Sequence, residues 1–369
     1  MKILHLSHEK LPDWRVEKAA LTGCKYGHTV YFAGLDSPNY SSNVFKKIIK
    51  LDWNSKARFG IPYYYHLVKK QVKRILDEIK PDVIHAHNIF AGKMASEFDY
   101  PIVYDDHEYW SDHVRLLLNN NISKNLNFKN LKLQLRNIII VKKWTQWEKE
   151  LLNNYHVITV SNQIITEFKK CTSNKNIYYV PNYPTITEVE HIHSPILHDR
   201  LSSLYSGSDG NHIEKQPHRN IDGLIDLFNF NQVGTLSVLG WAANSSQNVN
   251  FKGYLNRIEM YKEMTNHSIG LLPWKQHPSH NYVNPNKVYE YAHAGLLVIC
   301  TSDFLEIQNN LQGNFILFNN YDDLVSTLKE CMINLDEINK KRQHIFDFAQ
   351  KNLFWEKNEN YIINAYSNS

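Results

Sequence analysis

Along the first third of the chain, short continuous apolar runs alternate with apolar stripes at helical spacing. That is the grammar of a parallel sheet with crossover helices. Lys2–Ser7 reads as a first strand. Beyond a Pro12-Asp13 turn, Val16, Ala19, Ala20, Gly23 and Cys24 recur at spacings of three and four, Gly27 is placed to close the helix, and residues 29–33 are β-rich. Val68, Val72, Ile75, Leu76 and Ile79 form a second stripe, stopped by Pro81-Asp82 and followed by the strand Val83–His87. Further strands are expected at 101–104, 157–160 and 178–182. Residues 111–150 differ: they are polar and rich in Lys, Asn and Trp, with a helix predicted from about 130 that carries Trp144 and Trp147 among basic residues. Such a segment suits a membrane surface or a polyanionic acceptor, but a solvated insertion helix with its apolar face on the sheet is the preferred reading.

The second half repeats the pattern, with strands predicted at 204–207, 236–240, 249–253, 269–273 and 296–300, helices at 221–228 and 285–294, and a helical tail from 322 broken near 352. The expectation is two Rossmann-like α/β domains, 1–185 and 186–350, with 351–369 as a helical tail.

Composition narrows the classes. A net charge of +4 over 369 residues does not call for nucleic acid, and no apolar stretch approaches the ~20 residues of a spanning helix. The N-terminus reads as a strand and not as a signal peptide. Cys24, Cys171, Cys300 and Cys331 are far apart with no C-x-x-C pair, so free thiols in a reducing cytoplasm are expected.

Polar residues just past the carboxyl ends of parallel strands are the candidates for chemistry. His5 and His8 follow the first strand, His85 and His87 lie on another, and Asp105-Asp106-His107-Glu108 follows a third. Zinc on His85, His87 and His107 is conceivable, but without cysteine pairs or H-E-x-x-H no metal is assigned. In the second half, Asn284 and Pro285 read as the N-cap and first residue of a short helix closed by Gly295. Val288, Tyr291, Ala292 and Gly295 share its inward face, leaving Asn286, Lys287 and Glu290 on an adjoining one. A helix N-terminus with a lysine suits phosphate, and a carboxylate one turn on suits ribose hydroxyls. Arg219, near the start of the preceding helix, is a second candidate for diphosphate.

These residues resemble the family-4 retaining glycosyltransferases of the GT-B fold over nearly the whole chain. Asp13 to Ala19 with Gly27-His28-Thr29-Val30 is similar to the opening "RVE-x-A … GH-x-V" of that family. Residues 81–87 are similar to "PDVIHAH", 104–108 to "YD-x-HE", 157–161 with 180–182 to "ITVS … VPN", and 285–299 to "PNK-x-x-EY-x-x-AG-x-x-VI", the most specific match. The resemblance implies two Rossmann-like domains facing each other across a cleft, 1–185 on the acceptor side and 186–350 binding the nucleotide sugar, and Phe354-Trp355-Glu356 is similar to the start of a tail helix, 351–369, that crosses back to the first domain. It places His107 near the anomeric centre, Arg219 and Lys287 on the diphosphate, Glu290 on the ribose, Asn286, Asn284, Pro285 and Gly207 around the nucleotide, and Arg15 on the other wall. It implies no cofactor or metal beyond the nucleotide-sugar donor, a glycan or lipid-linked acceptor, and work at the cytosolic face of a membrane. Departures are Tyr282, where many relatives carry a first glutamate, Ser208, where an arginine is common, and the lack of a glycine-rich loop after the first strand. A 2-epimerase of the same fold and a non-catalytic nucleotide-sugar module are the alternatives. A glycoside hydrolase is disfavoured, because Asp105, Asp106 and Glu108 are neighbours on one loop.

Overall fold

The computed structural model describes residues 1–38, 40–119, 128–207 and 217–369, which leaves Ser208 outside. The chain forms two compact units, Met1–Pro181 with Asn358–Ser369, and Asn182–Lys357.

Unit 1 runs β1 (Lys2–Ser7), α1 (Trp14–Lys25), β2 (Thr29–Gly34), β3 (Lys47–Lys50), α2 (Ser55–Arg58), α3 (Pro62–Ile79), β4 (Val83–His87), α4 (Asn88–Ala95), β5 (Ile102–Asp106), α5 (Trp110–Asn119), α6 (Phe128–Asn154), β6 (His156–Thr159), α7 (Asn162–Cys171) and β7 (Ile177–Tyr179). Its seven strands are parallel, in the order β3-β2-β1-β4-β5-β6-β7. Strand order therefore reverses between β1 and β4, and the crevice beyond their carboxyl ends is where such a sheet binds ligands. β1, β4 and β5 are buried on both faces apart from Lys2, which is why they read as continuous apolar runs. Asp105 and Asp106 fall inside β5 and not beyond it, as residues paired with Ile158 and Thr159 of β6.

Unit 2 runs α8 (Ile186–Val189), β8 (Ser202–Ser206), α9 (Leu224–Phe230), β9 (Thr235–Leu239), β10 (Val249–Gly253), α10 (Arg257–Met264), β11 (Ile269–Leu272), α11 (Asn286–His293), β12 (Leu297–Thr301), α12 (Leu305–Leu311), β13 (Phe315–Phe318), α13 (Tyr321–Ile333) and α14 (Leu335–Asn352). Six parallel strands are ordered β10-β9-β8-β11-β12-β13, so the reversal lies between β8 and β11. α15 (Glu359–Asn368) belongs to unit 1, where Tyr366 is buried and its hydroxyl meets His85 Nδ1 at 2.6 Å.

Candidate functional site

At the unit 1 reversal, the strands deliver histidines to one buried cluster. Pleat alternation puts His5 of β1 beside His85 of β4, its register partner, and brings His87 to the same face. His5 Nδ1 lies 3.0 Å from His87 Nε2, and His87 Nδ1 lies 3.2 Å from His107 Nε2. Asp105 anchors the group: Arg15 donates to it from Nε at 3.0 Å and from Nη2 at 2.7 Å, and His85 Nε2 is 3.3 Å from Oδ2. Burial opposes ionisation of Asp105, but the Arg15 guanidinium and then His107 outweigh it and hold the carboxyl well below its usual range. Burial drives His5 and His87 the other way, so both stay neutral; their histidine neighbours add to that effect. His107 is the one member of this group with appreciable exposure, 14% against 1% or less for His5, His85, His87 and Asp105.

Arg15 does not line an open wall. It is 4% exposed, and its Nη1 donates to Val180 O at 2.8 Å, so its guanidinium is spent on holding Asp105 and the end of the unit. Its place follows from the start of α1, where the Asp13 side chain caps the Arg15 and Val16 amides. Asn88 was not singled out from sequence. It takes φ 68°, the left-handed region, between β4 and α4, and its Oδ1 accepts from Trp110 Nε1 at 3.0 Å and from the His107 amide at 3.3 Å. That places the His107 backbone.

His87 Nδ1, Asp105 Oδ2 and His107 Nε2 are 3.2, 3.5 and 3.5 Å apart, close enough to share a metal ion, as are nitrogens of His5, His85 and His87. Asp105 Oδ2 already accepts from Arg15 and His85, which weakens its charge as a ligand.

At the unit 2 reversal, two cations meet over one aromatic ring. Lys287 Nζ is 4.8 Å from the Trp274 ring centroid and 4.9 Å from that of Tyr205, and Arg219 Cζ is 5.6 Å from the Trp274 centroid. Among the described residues neither cation has an ion-pair partner. Burial, and after it the Arg219 charge, lower the Lys287 ammonium to about 7. Gly207 lies against the pair: a Cβ there would stand 2.7 Å from Lys287 Nζ and 2.4 Å from the Tyr205 hydroxyl. Gly240, at φ 98°, abuts Gly207 in turn, with its own Cβ position 2.5 Å from Gly207 O.

Several bonds hold this cradle. Trp274 Nε1 donates to the Tyr205 hydroxyl at 3.3 Å, the Ser206 amide donates to the Tyr291 hydroxyl at 2.8 Å, and buried His280 joins His218 O at 2.6 Å to Asp303 Oδ2 at 2.8 Å. His280 thereby fixes the residue before Arg219, which closes a 3-10 turn, Pro217–Arg219, and precedes α9 instead of opening it.

Two expectations for α11 need correction. Asn284 is not the N-cap: Pro285 is, at φ −71° and ψ 127°, and the Asn284 carboxamide instead accepts from the buried Tyr289 hydroxyl. Glu290 does not stand on an open face: it is 6% exposed and pairs with Arg257, whose other nitrogen reaches Glu188. Asn286 and Pro285 do begin the helix, so the free amides of its first turn lie beside Lys287. Tyr282 follows the 3-10 turn Pro278–Asn281, half-buried. Sequence reading missed Trp274, Tyr205, Arg257 and Glu188. The run Leu272-Pro273-Trp274, an aromatic directly after a buried strand, was the available signal for the first of them.

Residues 24–183 match the family model described as Glycosyltransferase Family 4. No curated protein matches the chain. Among solved structures, sucrose-phosphate synthase from Thermosynechococcus elongatus aligns with a TM-score of 0.75 at 13% identity, covering 100% of this chain and 99% of that one. HepE of Anabaena in complex with UDP-glucose gives a TM-score of 0.70 at 14% identity over 100% of both chains. A putative UDP-N-acetylglucosamine 2-epimerase from Listeria monocytogenes gives 0.58 at 11% identity, over 99% of this chain and 95% of that one. The chain therefore has the GT-B fold, and residues 24–183 are similar to the glycosyltransferase family 4 model.

Proposed function

We propose that this protein transfers a sugar from a nucleoside-diphosphate sugar to a glycan or lipid-linked acceptor, with retention of configuration, in the synthesis of envelope polysaccharide or glycoconjugate at the cytosolic face of a membrane. The observation that carries the reading is the cradle of unit 2: Arg219 and Lys287, without ion-pair partners among the described residues, both over Trp274, at the strand-order reversal and the first turn of α11. Lys287, held beside the exposed Arg219 guanidinium with burial working against its own charge, is stabilised by an anion, and a diphosphate fits. The HepE complex supports uridine diphosphate as that group. Glu290, one turn further along α11, takes the ribose, with Arg257 holding its carboxylate in place.

Unit 2 binds the donor in this reading, and the histidine rim of unit 1 serves the acceptor side. As the bond between the anomeric carbon and the β-phosphate oxygen breaks, charge grows on that phosphate, and Arg219 and Lys287 are already oriented to receive it. The acceptor oxygen bonds to the anomeric carbon on the face the phosphate leaves, and its proton passes to a phosphate oxygen. Retention and the role of His107 rest on the family resemblance. His107, the exposed end of the buried cluster, meets the sugar, and Asp105, His87 and Asn88 fix its orientation. With two cations on the diphosphate the reaction needs no metal.

The test is turnover of UDP-sugars with His107→Ala. The variant should lose 10²-fold or more in kcat, an order of magnitude typical of a positioned proton-handling group, while donor affinity holds. Unchanged kcat would remove His107 from the chemistry. A 2-epimerase would convert the donor with no acceptor present, so the recovery of unaltered UDP-sugar from such mixtures excludes that reading.

A further inference from the structure

α6 is a 27-residue helix, about 40 Å long, in a unit whose strands have at most six residues, about 20 Å. It enters β6 at that strand's amino end, so its early turns pass the carboxyl edge of the sheet, the edge where His87 and His107 lie. The height of that edge is marked by Trp144, which packs on Trp110 just beyond β5 with ring centroids 6.0 Å apart. Before Trp144, Leu135, Ile138 and Ile139 are 55%, 64% and 65% exposed, beside exposed Arg136 and Lys142. The sheet-facing side of the same stretch is satisfied by Asn137, Ile140 and Trp144, so these aliphatics stand where a soluble helix carries polar groups.

A second apolar strip adjoins the first. Phe59 stacks on Trp144 at 6.0 Å and Lys143 Nζ donates to Phe59 O and Gly60 O, and from this joint Phe59, Ile61, Tyr63 and Leu67 stand exposed. A pocket of about 600 Å³ lies at the same joint, bordered by Tyr65, Lys69, Lys93, Glu97, Lys143 and Trp147. Charge is one-sided across the two contributing stretches. Residues 53–76 hold six Lys or Arg and residues 134–147 hold three, with no Asp or Glu in either, and Glu97 at the pocket is already paired with Lys69 and Lys93.

We propose that this face of unit 1 docks on an anionic lipid bilayer, the aliphatics of α6 and of 59–67 seated at the headgroup boundary and the flanking cations on lipid phosphates. Bare aliphatics framed by lysine and arginine fit that partner, whereas nucleic acid would leave the isoleucines unused. Docking would hold the histidine rim at the membrane, where a lipid-linked acceptor resides. To that extent the proposal builds on the transferase reading, but the surface shares no residue with the nucleotide cradle, so either can fail alone.

Sedimentation of the full chain with vesicles of phosphatidylglycerol and phosphatidylcholine (about 3:7), and with pure phosphatidylcholine, tests it. Binding to the mixed vesicles alone, released by salt, is expected. The double variant Ile138→Ser/Ile139→Ser and, separately, Lys142→Glu should each lower partitioning by roughly tenfold, with circular dichroism and UDP affinity unchanged. No sedimentation with the anionic vesicles, or equal sedimentation of the variants, overturns the proposal. So does a result in which the variants abolish self-association or RNA binding and the wild type ignores lipid.

Discussion

Lys287 is the residue on which the nucleotide reading turns, and its position makes that reading sensitive to pH. Burial and the Arg219 charge leave the ammonium near 7 in the free protein, and an arriving diphosphate raises it. Binding above pH 7 must therefore take up a proton. Affinity for UDP should be level below about pH 7 and fall as pH rises through that value, by up to about tenfold per unit, until the raised value of the complex is passed. Calorimetry between about pH 7.5 and 9, where the diphosphate is already fully ionised, isolates the lysine. Lys287→Arg, which keeps its charge throughout, should flatten the profile. A steep decline that persists in the arginine variant would mean another group is titrating. The sequence singles out Lys287, Glu290 and His107 as candidates through residue type and spacing. It did not give Arg257 as the partner of Glu290, because a pair separated by 33 positions has no local signature.

Helices and strands are legible in the sequence where burial imposes a clean period, and hidden where an element is short or stands at an edge. β3, Lys-Ile-Ile-Lys, is an edge strand with lysine at both ends, and that polarity hid it. β13, Phe-Ile-Leu-Phe, is the opposite edge of the other sheet and only half-buried. The sequence places the start of α11 one residue early, since an Asn-Pro pair suits a cap but Tyr289 claims the asparagine side chain. No pattern forecast the role of Arg342 on α14. Fully buried, it donates to the carbonyls of Gly295 at 2.8 Å, Ile196 at 2.8 Å and His267 at 3.3 Å, tying α14 to the segments around β8, β11 and β12. Arg342→Met strands those carbonyls and should cost unit 2 at least about 3 kcal/mol, read as a lower denaturant midpoint. A loss under about 1 kcal/mol would mean water takes over the bonds.

For the molecule as a whole, fold class is legible in the sequence, because two successive β/α series with buried parallel strands leave few other architectures. Each unit then has one reversal of strand order, and in each the polar residues cluster there: histidines and Asp105 in unit 1, Arg219, Lys287 and Trp274 in unit 2. Sequence located both clusters only roughly, since the carboxyl ends of strands are visible in a sequence but the strand order that selects among them is not. Among the described residues no helix is long and apolar enough to cross a membrane. The most direct test of the central claim is calorimetric titration of the intact chain with UDP in EDTA, repeated with GDP and ADP and with Glu290→Ala. Metal-independent binding of UDP, weakened by about 1.5 to 3 kcal/mol in Glu290→Ala, is the result predicted. Absence of binding by all three nucleotides, or binding that appears only when magnesium is restored, would contradict the assignment of Arg219 and Lys287 to the diphosphate.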